Sequence, residues 1–307
     1  MIQQQAGQQL PTLENDQQAV KSAPKPKAYH RFNSLQRLEH ILLLVSFTVL
    51  AITGLPQKYS AQPWAVTMIT AFGGIETTRI IHRGAAFILL VVTMYHFIVV
   101  AYRIYVERVA MTMLPGWQDV KDALQTLGYN IGVYKVAAKM GRYTFGEKVE
   151  YWAVIWGTVL MAITGFMLWN PIATTTFLPG EFIPAAKAAH GGEAILAVLS
   201  ILTWHLYNVH IKHFNKSMFT GQISRHEMVE EHPLELAQIE TGRGRPAPDA
   251  ATRQRRMRTF VPFAVVLSIA FLVGLYVFVA YEQTAISTIP ADNTEVFVPV
   301  ATATAVP

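Results

Sequence analysis

The chain of 307 residues contains no cysteine and little charge: 15% is Asp, Glu, Lys or Arg, against 52% hydrophobic. Without thiolates, cysteine-held iron–sulfur clusters, covalently attached c-type haem and structural disulfides are excluded. A metal or cofactor must be held by histidine, methionine, carboxylates or backbone. Sparse charge and a positive mean hydropathy place the sequence among membrane proteins before any segment is inspected. The net charge of +5 does not point to nucleic acid, because of how the charge is distributed.

Five apolar runs, roughly 38–56, 80–102, 149–169, 190–211 and 260–281, are long enough, or nearly so, to cross a bilayer as helices. The first ends at Gly54-Leu55-Pro56, which reads as a helix stop. The fifth has neither charge nor histidine and reads as a plain anchor. Lys and Arg cluster in alternate connections. Five lie before residue 40, seven in 103–148 and nine in 212–258; only Lys58, Arg79, Arg83 and Lys187 lie elsewhere. By the positive-inside rule the N-terminus is cytoplasmic and the C-terminus extracytoplasmic, in a multi-pass plasma-membrane protein. Residues 1–28, rich in Gln, Pro and Lys, read as disordered; they lack a small-residue cleavage pattern and lie too far before the apolar run for a signal peptide.

The chain repeats itself. "RFNSLQRLEHILLLVSFTVLAITG" (31–54) and "RYTFGEKVEYWAVIWGTVLMAITG" (142–165) align without a gap, sharing Arg31/Arg142, Glu39/Glu150 and the whole "AITG". "HRGAAFILLVVTMYH" (82–96) is echoed by "HGGEAILAVLSILTWH" (190–205). Two copies of a helical hairpin predict an all-α membrane protein: an up-down four-helix transmembrane bundle plus a fifth transmembrane helix. The implied organisation is a disordered cytoplasmic N-terminus (1–30), the four-helix domain (31–240), a basic cytoplasmic linker (241–258), the fifth helix (259–282) and an extracytoplasmic tail (283–307).

Histidines mark the second helix of each hairpin. His82 and His96 are fourteen residues apart, roughly 21 Å of rise and about 40° short of four turns, so they share one face. His190 and His205 are fifteen apart, about 60° past four turns, still one broad face. The second and fourth spans run in the same direction, so His82 is level with His190 and His96 with His205. Arg37-x-x-His40 opens the first span at a depth close to the second pair. A single histidine at a helix start is ordinary, and His210, His213, His226 and His232, at or beyond the end of the fourth span, read as solvated. Ionisable groups inside spans are costly and functional by default, however, and two level pairs repeated by duplication are hard to obtain from packing alone. Zinc wants a tetrahedral cluster of close ligands, whereas b-type haem takes one imidazole from each side in a slot between helices. Gly84, Ala85, Ala86, Gly191 and Gly192 leave room for a flat macrocycle, or simply let helices pack closely.

The motifs "RLEH", "RIIHRG", "GRYTFGEKVEYW", "AITGFMLWNP", "AAHGGEAIL", "WHLYNVH" and "FTGQISRHEMVEEHPLEL", spread over residues 31 to about 240, resemble the di-haem cytochrome b (gamma) subunit of respiratory formate dehydrogenases and the related cytochrome b of nickel–iron hydrogenases. The chain looks closer still to stand-alone members that serve as quinol-linked subunits of multihaem cytochrome systems. The resemblance implies two non-covalent b-type haems: an outer one held by His82 and His190, and an inner one held by His205 with His40. His96 and the extra residue before His205 instead resemble the cytochrome b of bc and b6f complexes, with two histidines on each of two helices. That pattern pairs His205 with His96. The resemblance also implies a quinone or menaquinone site at Tyr143, Thr144 and Gly146. Thr144 stands where the family carries asparagine. Glu147 or Glu150 could accept a proton there, or serve as a cap or ion-pair partner.

The expected function is electron transfer between the quinone pool near the cytoplasmic face and an extracytoplasmic redox subunit, a dehydrogenase or a multihaem cytochrome. Membrane lipid is the surrounding partner and no nucleic acid is expected. Rival readings are a self-contained haem oxidoreductase acting on oxygen species or ferric chelates, and a histidine-based transporter without haem.

Overall fold

The computed structural model describes residues 27–212, 214–243 and 246–280; the expected tail after 283, and the N-terminal one up to residue 26, lie outside them. The regular secondary structure of the described residues is helical apart from two three-residue strands. In order it runs β1 (Ala28–His30), α1 (Ser34–Lys58), α2 (Pro63–Ala71), α3 (Ile75–Tyr105), α4 (Trp117–Asn130), α5 (Phe145–Trp169), α6 (Pro171–Thr175), α7 (Phe182–Ser200), α8 (Ser217–Thr220), β2 (Gln222–Ser224), α9 (Arg225–Glu231), α10 (Pro233–Glu240) and α11 (Ala250–Ala280). Five helical stretches are long and apolar enough to cross a membrane: α1, α3, α5, α7 with its continuation to Lys212, and α11.

Each span outgrows the apolar run that announced it. α3, α11 and the stretch Phe182–Lys212 have 31 residues each, or about 46 Å, against a hydrocarbon core of about 30 Å. Helical hydrogen bonding thus continues through polar flanks that hydropathy alone does not mark. "RQRRMR" (253–258), expected in a linker, forms part of the first turns of α11. Asp249 caps that helix, its carboxylate accepting from Thr252 N–H at 2.8 Å. Hydrogen bonds from the Thr252 backbone and side chain hold the Asp249 pKa below the usual carboxylate range. α1 does not stop at Gly54-Leu55-Pro56 but carries Pro56 inside it and ends at Lys58. At its start, Asn33 Oδ1 accepts from Gln36 N–H and Gln36 Oε1 from Asn33 N–H, a reciprocal cap.

The described residues form two compact units. The smaller comprises 27–40, 115–145 and 214–243. β1 and β2 pair antiparallel, Tyr29 opposite Ile223. Residues 28–30, assigned to the disordered tail from composition, are therefore a strand. Ile223, Met228 and Leu236 make a small core with Tyr29 against it. Its polar centre is built from the internal repeat. Arg31 and Arg142, equivalent positions in the two copies, converge on opposite oxygens of Glu235. Each also donates to the other's carbonyl, Arg31 Nη2 to Arg142 O at 2.6 Å and Arg142 Nη2 to Arg31 O at 3.3 Å. His232 is buried, with Nδ1 2.9 Å from Gly141 O, so it is a packed residue rather than a solvated one. His226, by contrast, is exposed.

The larger unit comprises 41–114, 146–212 and 246–280. Its helices run alternately up and down. The end of α1 meets the start of α3 at Thr53–His82, and the end of α5 meets the start of α7 at Thr164–His190. α3 and α5 touch at both ends in antiparallel sense, Arg83 with Trp169 and His96 with Tyr151. Apart from Pro56, the buried positions on these spans are small or hydroxylated: Ser46, Thr53, Thr78, Ala85, Gly157, Thr164 and Ala186. Such residues let helices approach closely where no hydrophobic force drives them together. Ser46, Thr53 and Thr164 return their hydroxyl protons to their own helix, at carbonyls four residues back.

α11, expected as a plain anchor, docks along the bundle. Near its start, Phe260 meets Tyr102 and Tyr105 of α3, Arg253 donates to Tyr102 Oη at 2.9 Å and Arg256 to Tyr105 O at 2.7 Å. Near its end, Phe278 lies 4.6 Å from the Phe166 ring centroid and 5.6 Å from that of Trp169, and accepts a hydrogen bond from Asn170.

Candidate functional site

The histidines of the bundle fall into two layers. In the first, the rings of His82 (α3) and His190 (α7) meet edge-on, with centroids 6.4 Å apart and planes at 65°. The "AITG" repeat positions both. Thr53 Oγ1 is 2.9 Å from His82 Nδ1, and Thr164 Oγ1 is 2.9 Å from His190 Nδ1. The following glycines make room: a Cβ on Gly54 would lie 2.9 Å from His82 Cε1, and one on Gly165 3.3 Å from His190 Cε1. These four residues were visible as a repeat, but not as part of the site. The glycines singled out from the sequence do less, since a Cβ on Gly84 or Gly192 would meet nothing within 4 Å. Over Gly191 lies the Lys58 side chain.

The second layer contains His96 and His205. His96 Nε2 is 3.1 Å from the Tyr151 hydroxyl, and His205 Nδ1 is 2.8 Å from Glu150 Oε2. Glu150, considered above as a proton acceptor, a cap or an ion-pair partner, holds an imidazole. Tyr151 stands where the first copy has His40. His40 itself is half-buried on α1 and counts with the smaller unit.

His205 lies in irregular helix. Beyond Ser200 the chain is π-helical at Ile201–His205 and Tyr207–Lys212. A π-helix turns more slowly, about 82° per residue, so ten α steps and five π steps bring His205 about 30° short of four turns from His190. That nearly equals the angle between His82 and His96. The extra residue of the second copy is absorbed, and the expected 60° overshoot does not occur.

The first layer fits a metal held between two imidazoles. Metal–nitrogen bonds of about 2.0 Å, with about 1.15 Å from nitrogen to ring centre, put the two centroids about 6.3 Å apart when the ligands are opposed. Both Nδ1 atoms are occupied, which leaves Nε2 as the available donor on each ring. No group of three or more His, Cys, Asp or Glu able to hold a metal ion occurs among the described residues. A bis-histidine haem needs only two protein ligands.

At the expected quinone stretch, Tyr143 lies under two guanidinium groups, Arg31 at 5.4 Å and Arg142 at 5.6 Å from its ring centroid. Burial opposes the Arg142 charge, but Tyr143 and Glu235 beside it hold its pKa above the usual arginine value. Thr144 directly precedes α5 and Gly146 is its second residue.

Five membrane-length helices, with His82 of α3 and His190 of α7 brought together between them, define the class, an all-α multi-pass membrane protein. No family model matches the chain. It is similar to the cytochrome b556(Fdn) subunit of the nitrate-inducible formate dehydrogenase of Escherichia coli K12, 23% identical over 217 residues, 70% of this chain and 94% of that one. The Shigella flexneri counterpart matches equally. The cytochrome b556(fdo) subunit of an E. coli K12 formate dehydrogenase is 25% identical over 207 residues, 66% of this chain and 89% of that one. The chain is thus similar, over about 70% of its length, to cytochrome b subunits of formate dehydrogenases.

Proposed function

We propose that the chain holds two b-type haems and exchanges electrons between the membrane quinone pool and an extracytoplasmic redox partner. The observation that carries this reading is the approach of His82 and His190, ring centroids 6.4 Å apart, a spacing at which both could hold one iron, each ring anchored through Nδ1 by a threonine of the repeated motif. Haem supplies reversible one-electron chemistry. The protein's part is to fix the rings, exclude water with small-residue helix contacts and set the electrostatics around the ligands.

His82 and His190 hold the first haem. His205 is one ligand of the second, with His40 as the other. Support comes from Tyr151, which occupies His96 Nε2, the nitrogen a haem-binding imidazole would offer when Nδ1 is anchored. Tyr143, Thr144 and Gly146 bind the quinone. The two guanidinium groups on the Tyr143 ring keep it rigid, and the Thr144 hydroxyl can donate to a quinone carbonyl. The excess of Lys and Arg in alternate connections supports a cytoplasmic position for this stretch. The named relatives are subunits of formate dehydrogenases, which supports a dehydrogenase as partner on the opposite side.

A reduced-minus-oxidised absorption spectrum of the purified chain, with haem quantified per chain, tests the reading. Two haems with b-type alpha bands are expected, and one should be lost in His82→Ala or His190→Ala. A chain that purifies folded without haem refutes it.

A further inference from the structure

The connection between the second and third spans carries a helix whose apolar side faces outward. On α4, Trp117, Val120, Leu124 and Leu127, with Ile131 just past its end, fall within about 80° of arc at 100° per residue. All five are exposed, between 42% and 72%. Asp119, Asp122 and Thr126 point the opposite way and are the more covered residues, Asp119 being buried. A helix on a protein surface in water shows the reverse, with its apolar stripe inward and its polar side outward.

The exposed face is held in place by the chain that follows. Gly132 takes a positive φ of 81° and the backbone folds back along α4. The amides of Val133 and Tyr134 donate to Gly128 O at 2.7 and 3.1 Å, and the Tyr134 ring lies over Gly128, where no side chain stands in its way. Gln125 Nε2 donates to Val136 O at 3.2 Å. Val133 and Val136, on this returning segment, are exposed as well.

Connectivity identifies what lies beside this face. Residues 106–116 and 131–144 tie α4 to α3 and α5, both of membrane-spanning length. The first tie is pinned: Met113 O accepts from Trp152 Nε1 at 3.0 Å, and Trp152 belongs to the apolar run that begins at 149. The four residues from Met113 to Trp117 reach at most about 14 Å, so α4 starts within that distance of the edge of the hydrocarbon layer. The charges agree. Lys121 flanks the stripe and Lys135 and Lys139 follow it, all three exposed, while Asp119 and Asp122 lie on the far side. Lysine stems cover acyl boundary while their ammonium groups reach lipid phosphates, and tryptophan favours the same interface.

We propose that α4 is an in-plane helix whose Trp117–Leu124–Ile131 face inserts into the headgroup–acyl boundary of the adjoining leaflet, with its lysines on the phospholipid phosphates. A helix of this length binds a bilayer weakly by itself. Tethered at both ends to spans, it meets the lipid intramolecularly, and a modest affinity suffices. The proposal stands apart from the haem reading.

The sequence has no cysteine, so single labelling sites can be introduced without removing any. Leu124→Cys, Leu127→Cys and Gln118→Cys, the last about 140° from the centre of the stripe, are each labelled with an environment-sensitive fluorophore. The full-length chain is placed in phosphatidylcholine–phosphatidylglycerol nanodiscs, and quenching by brominated acyl chains is compared with quenching by aqueous iodide. Labels at 124 and 127 are expected to be quenched by the lipid bromines at least about twofold more than the label at 118, and by iodide at least about twofold less. Equal iodide quenching at all three positions means a solvated face and overturns the proposal. So does a stripe shielded from both quenchers, the result expected if a second copy or another protein surface covers it.

Discussion

Replacing Gly54 by alanine probes the first layer most sharply, with Gly165→Ala as the internal control. The new Cβ would lie 2.9 Å from His82 Cε1 at Gly54, and 3.3 Å from His190 Cε1 at Gly165. Carbon–carbon contacts are comfortable from about 3.5 Å, so the ring must retreat by about 0.6 Å in the first case and about 0.2 Å in the second. A functional constellation tolerates displacements of about 0.5 Å. The His82 ring cannot retreat freely, because Thr53 holds its Nδ1. Weakening that bond costs about 1 kcal/mol. The better helix propensity of alanine returns a similar amount, about 1 kcal/mol, so global stability should hardly change. The expected signature is a selective one: Gly54→Ala loses first-layer haem or broadens its low-spin signal while helicity and thermal midpoint in detergent stay near wild type. Gly165→Ala is expected to be milder in the same assay. Equal wild-type haem content and spectra in both variants, or a larger defect in Gly165→Ala, would refute the assignment of these glycines to the ligand cradle.

Other perturbations separate the remaining elements. His96→Ala and Tyr151→Phe should each retain two haems, whereas His40→Ala should lose one; haem stoichiometry of the three variants reads the second-layer ligand directly. Glu235→Ala leaves two converging guanidinium groups without their carboxylate, Arg31 being only 3% exposed. Breaking such a buried pair costs about 3–5 kcal/mol, so limited proteolysis should cut the smaller unit far faster, with Glu235→Gln intermediate. Phe278→Ala removes the ring packed on Phe166 and Trp169. The fifth span should then melt away at lower temperature in detergent, through loss of two aromatic contacts worth about 0.5–1.5 kcal/mol each, with the first-layer haem spectrum retained.

The amino-acid sequence alone determined where the spans lie, that they come as two hairpins, and which histidines ride on them. Those properties are local: hydropathy over about twenty residues and a 3.6-residue period need no knowledge of neighbouring helices. Even there the limits of the runs misled, because hydropathy does not report helix that continues past Pro56 or into "RQRRMR". What depended on the rotation and depth of one helix against another was decided only in three dimensions. Thr53 and Gly54 reach His82 across a helix contact, Glu150 takes His205, Tyr151 takes His96, and Arg31 and Arg142 meet on Glu235 across 204 and 93 positions of chain. The π-helical turns before His205 belong with these. One residue more in the chain is plain to read, but whether it rotates a ligand away or is wound into the helix depends on how the two copies pack.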